Sequence, residues 1–97
     1  MFARVTTGIM PKDKIDALNK RVAEKLFPEV KKQKGYKGFI TMINPETGER
    51  LSVSLWDTEA DMLASEKASY YTQDQKEAPA IGIKPVGTKY YTVGIKD

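Results

Sequence analysis

The sequence predicts an α+β sandwich with the element order strand, helix, strand, strand, helix, strand. Three observations predict it. Two runs rich in β-branched and aromatic residues, Gly38–Ile43 and Arg50–Trp56, flank the turn sequence Asn-Pro-Glu-Thr-Gly-Glu, which reads as a hairpin. An amphipathic helical stripe precedes that hairpin, and a helix start signal follows it. A run with strand periodicity lies at each end of the chain.

The first strand is read over Ala3–Met10. Ala3, Val5, Thr7 and Ile9 share one face, and Arg4, Thr6 and Gly8 the other. Pro11 suits a first helical turn, where its missing N–H costs nothing. Ile15, Leu18, Val22 and Leu26 then recur at helical spacing. Pro28 is expected to kink or interrupt that helix, at a cost of ~3 kcal/mol or more for an interior position. The helical pattern resumes through Val30 and stops before Gly35.

In the hairpin, Asn44 and Pro45 favour turn initiation and Gly48 supplies a positive φ. Leu51, Val53 and Leu55 lie on one face of the following strand, opposite Ser52, Ser54 and Trp56. The preceding strand is apolar on both faces, with Phe39 and Ile43 against Ile40 and Met42, so both faces of the sheet need cover. Asp57 or Thr58 can cap the second helix, and Thr58 with Asp61 resembles a capping box. Ala60, Leu63, Ala64 and Ala68 are expected to form its sheet-facing stripe, with Tyr70 and Tyr71 near its end. Residues 72–88, broken by Pro79, Gly82, Pro85 and Gly87, read as an irregular connection. The last strand is read over Lys89–Lys96.

This order is the ferredoxin-like split βαβ plan, a four-stranded antiparallel sheet with helices on one face, filling residues 1–97 as one domain. Two helices cover only one face of such a sheet, and a second copy of the chain is the simplest cover for the other. No apolar run approaches the ~20 residues of a membrane span. With no cysteine and no basic, apolar leader the expectation is a cytoplasmic protein without membrane attachment. Residues 1–50 hold eleven Lys/Arg against six Asp/Glu, and residues 51–97 hold five against seven. The basic excess around Lys31–Lys37 reads first as the solvated side of a helix. RNA binding by the sheet is not expected, because Arg50–Trp56 lacks the aromatic run of an RNA-recognition strand.

Histidine is absent, which excludes triads, imidazole acid–base chemistry and His/Cys metal clusters. No nucleotide-binding glycine motif is present, so no metal and no cofactor is expected. What remains is an aromatic and hydroxyl set. Trp56, the lone tryptophan, either plugs the sheet–helix junction or lines a pocket there. Tyr70, Tyr71, Tyr90 and Tyr91 can supply hydroxyls to such a pocket, with Ser54 on the face of Trp56. Arg4 is the cation that could reach it, the alternative for Arg4 being a surface ion pair.

Leu55-Trp56-Asp57-Thr58-Glu59-Ala60, preceded by Gly35-Tyr36-Lys37-Gly38-Phe39 and a hairpin, resembles the antibiotic-biosynthesis monooxygenase superfamily of dimeric α/β barrels. Pro28 late in the first helix and the closing Tyr90-Tyr91-Thr92-Val93-Gly94-Ile95 extend the likeness over nearly the whole chain. The resemblance implies a homodimer with sheets face to face and one pocket per subunit. It also implies metal- and flavin-free oxygenation of a quinol- or anthrone-like aromatic, with Trp56, Tyr70 and Tyr71 as catalytic candidates. Arg4, Ser54 and Tyr90 are the substrate-binding candidates. Haem-degrading relatives use an asparagine on the first strand, a tryptophan after the third and a histidine on the second helix. Only Trp56 has a counterpart here, so that activity is not expected. The missing histidine leaves a tyrosinate or a bound water as proton acceptor. The alternative is a non-catalytic dimer that binds a small ligand or serves as an interaction module.

Overall fold

The computed structural model describes all 97 residues. Four strands, β1 (Phe2–Ile9), β2 (Tyr36–Ile43), β3 (Glu49–Trp56) and β4 (Lys84–Thr92), form one antiparallel sheet in the order β2-β3-β1-β4. The helices are α1 (Ile15–Arg21), α2 (Phe27–Val30), α3 (Glu59–Ser65) and α4 (Ser69–Ala80). This is the ferredoxin-like arrangement, and the hairpin folds as its turn residues dictate. Asn44 Oδ1 accepts the Glu46 and Thr47 N–H groups, at 2.9 and 3.4 Å, and Gly48 adopts φ 81°. A Cβ at Gly48 would stand 2.4 Å from the Met10 carbonyl oxygen, so only glycine fits that corner.

Pro28 does not break the first helix. It widens it. Residues Val22–Leu26 form a π turn between α1 and α2, and the Phe27 N–H reaches back to the Val22 carbonyl. A proline ring clashes with the carbonyl four residues earlier, here Glu24, and widening that turn relieves the clash. Beyond α2 the chain turns at Gly35, φ 80°.

The second helical segment differs more from expectation. Thr58 does cap α3, its hydroxyl accepting the Asp61 N–H at 3.1 Å. Thr58→Ala should therefore lower stability by about 1 kcal/mol, measurable by urea unfolding. The buried side of α3 is Met62 and Ser65, whereas Ala60, Leu63 and Ala64 face outward. Met62 packs with Trp56 and Val30, and Ser65 Oγ accepts from Arg4, so these contacts rather than the small apolar residues set the phase of that helix. Residues 69–80 are helical, not irregular, so Tyr70 and Tyr71 open α4 instead of ending the preceding helix. Pro79 sits in its last turn. The helix closes with Gly82 at φ 95°, the Ile83 N–H on the Ala78 carbonyl and the Gly82 N–H on the Pro79 carbonyl. Consequently β4 begins at Lys84 and ends at Thr92, and Val93 and Ile95 lie beyond it. Pro85 is tolerated because β4 is an edge strand, with a register shift opposite Thr7 and Gly8.

The core is divided. Met10, Leu18 and Ile83 form one buried cluster, at the end of the sheet where β1 finishes and β4 begins. Val30, Trp56 and Met62 form another at the opposite end, flanked by Phe2, Tyr36 and Tyr70. Between these clusters the helix-facing side of the sheet is polar. The other sheet face carries Ala3, Val5, Leu51, Val53, Leu55, Ile40 and Met42, and no element of the chain covers it: Ile40 remains 53% exposed.

Candidate functional site

The polar stretch between the two clusters is the floor of a cavity of about 50 Å³. Antiparallel pairing sets its side chains opposite one another: Arg4 against Ser54, Thr6 against Ser52, Gly8 against Arg50. All lie on the face that period-two alternation assigns to Trp56. Leu26, Val30 and Phe39 form an apolar wall, while Tyr70, Tyr71, Asp74 and Gln75 of α4 close the top. The elements thus meet as a polar floor, an apolar side and a mixed lid.

Arg4 makes no surface ion pair. Its side chain is buried, the residue 4% exposed, and its guanidinium donates to the Met62 carbonyl at 3.1 Å, Ser65 Oγ at 2.9 Å and Glu66 Oε2 at 3.3 Å. It also lies over the Tyr71 ring, 4.6 Å from the centroid, and 5.5 Å from that of Trp56. A buried charge needs such saturation. Arg4 therefore ties β1 to α3, its charge answered by Glu66.

Trp56 is fully buried and does not line the cavity. Its Nε1–H donates to Ser54 Oγ at 2.8 Å, and Tyr36 meets its ring edge-on at 6.1 Å. It braces the cavity from behind by fixing Ser54 and stacking beneath Arg4. Ser54, Tyr70 and Tyr71 do line the cavity. Burial raises the pKa of Tyr71, Arg4 opposes that and Glu66 adds to it, so Tyr71 is a neutral phenol at neutral pH. Tyr90 stands apart. It is 47% exposed on β4, and its hydroxyl donates to Glu66 Oε2 at 2.8 Å. Desolvation and that carboxylate push its pKa up to about 12. Neither tyrosine is a tyrosinate at neutral pH. Tyr91, on the uncovered face, is also outside the cavity.

Sequence reading missed Arg50, Asp74, Thr6 and Ser52. The parity that places Ser52, Ser54 and Trp56 together also places Arg50 with them, and that signal was available. Asp74 had none, since its helix was not legible. Asp74 accepts from Arg21 Nη1 at 2.7 Å, and Glu77 from Arg21 Nη2 at 2.6 Å. This pair of contacts pins α4 to α1. Asp74, Tyr70 and Leu26 also border a second chamber of about 210 Å³ on the outer side, lined further by Arg21, Lys25, Glu29, Gln73 and Glu77. Tyr70 stands between the two spaces, and its buried hydroxyl has no hydrogen-bond partner. Turning that ring would join them without breaking a hydrogen bond.

No protein-family model matches the chain, and no curated protein matches it. Solved structures do. A "putative antibiotic biosynthesis monooxygenase" from Deinococcus radiodurans superposes with TM-score 0.82 at 13% identity, covering 100% of this chain and 96% of that one. A protein of the same description from Nitrosomonas europaea gives TM-score 0.77 at 14% identity over 98% of this chain and 100% of its own. Rv0793 from Mycobacterium tuberculosis gives 0.74 at 13% identity, covering 99% and 98%. The resemblance drawn from the residues around Trp56 therefore holds at the level of the fold, over the full length of the chain. No helix is long and apolar enough to cross a membrane.

Proposed function

We propose that the chain binds a small quinol-type aromatic in the cavity between sheet and helices and oxygenates it without metal or flavin, as a homodimer joined through the uncovered sheet face. The observation that carries this reading is the mixed lining of the cavity: a cationic and hydroxyl-bearing floor beside an apolar wall, with one carboxylate at the lid. The wall of Leu26, Val30 and Phe39 takes a ring. Asp74 is the proton acceptor in place of the missing histidine, and the unpaired Arg50 cation of the floor favours the phenolate so formed. That anion is electron-rich enough to reduce O₂. One oxygen atom enters the ring, the other leaves as water, and the quinol becomes a hydroxyquinone. The four electrons taken up by O₂ come from the quinol, which balances the reaction without a further reductant.

A cavity of about 50 Å³ is far below the ~300–1,000 Å³ of drug-sized pockets. A single-ring quinol therefore fits the reading better than a tricyclic anthrone, and the space of about 210 Å³ that shares Leu26, Tyr70 and Asp74 with the cavity gives it room to extend. The non-catalytic alternative is favoured by one observation: Asp74, the only carboxylate in the lining, already holds Arg21.

Oxygen uptake with a panel of single-ring quinols separates these readings. Uptake above the spontaneous rate should fall by ~10²-fold or more in Asp74→Asn, the usual weight of a lost general base. Binding without uptake across the panel would leave the ligand-binding module. Circular dichroism of the variant checks that loss of the Arg21 contact has not unfolded α4.

A further inference from the structure

We propose that the ligand of this cavity carries a carboxylate on its ring, held by Arg50 and Tyr70: a hydroxylated aromatic carboxylic acid rather than a neutral quinol. The inference rests on the ligand-binding part of the reading above, not on the oxygenation.

The two arginines of the floor are not equivalent. Their backbones stand apart on the floor, since Arg4 faces Ser54 and Arg50 comes four residues before Ser54 on β3, about 13 Å along the strand. Arg4 is saturated by three acceptors. Arg50 lines the same cavity and makes no ion pair or side-chain hydrogen bond. The one carboxylate in the lining, Asp74, is already engaged by Arg21 at 2.7 Å. Burial accordingly lowers the pKa of Arg50, with Asp74 opposing and Arg21 reinforcing that shift. A guanidinium keeps its charge nonetheless, so the half-buried Arg50 brings to the cavity a cation that makes no ion pair.

The second unsatisfied group is the Tyr70 hydroxyl, which is buried and unpartnered in the lining of the same cavity. Both orphans present hydrogens. A single ligand group that satisfies both must accept several hydrogen bonds and carry negative charge. A carboxylate does so, taking two N–H donors from the guanidinium fork and a third hydrogen from the phenol. A neutral hydroxyl or carbonyl would leave the charge uncompensated. The lining offers one free cation and one free hydroxyl, which suits a monoanion; a phosphate dianion would need more. Leu26, Val30 and Phe39 then receive the ring.

The test is isothermal titration of the wild-type protein with 2,5-dihydroxybenzoate, its methyl ester, hydroquinone and inorganic phosphate. The acid should bind at least ~10-fold more tightly than its ester, the usual weight of a charge-assisted contact. Arg50→Gln should bring acid binding down to that of the ester and leave the ester unchanged. Tyr70→Phe should weaken the acid by a smaller factor. Without ligand, Arg50→Gln should melt no lower than wild type, because the side chain makes no ion pair or hydrogen bond that the substitution would break.

Equal binding of acid and ester, or preference for phosphate or hydroquinone, overturns the inference. A lowered melting temperature in Arg50→Gln does so too, since Arg50 would then be structural. Hydroquinone binding with rejection of the acid sinks this inference and spares the proposed function. Acid binding without oxygen uptake spares the inference and sinks the oxygenation. Failure of every aromatic to bind sinks both.

Discussion

Trp56→Ala should lower the free energy of unfolding by ~3–5 kcal/mol, the usual cost of emptying a large aromatic site. Trp56 is fully buried among Val30, Met62, Phe2, Tyr36 and Tyr70. Small domains have only ~5–15 kcal/mol in total, so the loss is a large fraction of the stability. The effect should exceed that of most core positions because the core is split, and this cluster has three fully sheltered members. Trp56→Phe keeps most of the ring but removes the donor to Ser54, and should cost less than the alanine change. Urea unfolding of the three proteins checks the order. An alanine variant within about 1 kcal/mol of wild type would place the main core elsewhere.

Val53→Asp should convert the proposed dimer to a monomer. Val53 lies on the sheet face no helix covers, paired with Val5 on one side and Ile40 on the other. A carboxylate there costs little in the isolated subunit, where water reaches it. Between two packed sheets it would be stripped of water without a counter-ion. A two-fold interface meets the substitution twice. A penalty of about 4 kcal/mol raises the dissociation constant roughly a thousandfold. Light scattering during gel filtration reads the outcome directly. Ala64→Asp, on the exposed side of α3, should leave the mass unchanged. A monomeric wild type, or a Val53→Asp dimer, would remove the face-to-face assembly from the proposal.

What could be read from the sequence was whatever local chemistry decides. The hairpin turn, the Thr58 cap and the alternation along β3 rest on neighbouring residues, and each appears where expected. The helix α4 could not be read this way. None of its twelve residues is buried, so it carries no apolar stripe, and Pro79 looks like a breaker. It is held from outside, by Arg21 through Asp74 and Glu77, and by its glycine-closed end. Those partners lie more than fifty residues away. The site shared that fate. Arg4 is buried only because α3 brings it three acceptors, and Arg50 matters only because nothing does the same for it. A single chain of letters does not show which of two arginines will be answered.

The π turn at Val22–Leu26 has a consequence for the cavity beyond making room for Pro28. A turn of this kind holds about one residue more than an α turn, which sets back the phase of everything after it by roughly 100°. Leu26 and Val30, the two wall residues this helix contributes, come at the end of that turn and after it. Chain length, as much as residue type, therefore selects which side chains close the cavity. One residue in this turn acts as a spacer. It dials the far end of the helix around until a leucine and a valine face the sheet.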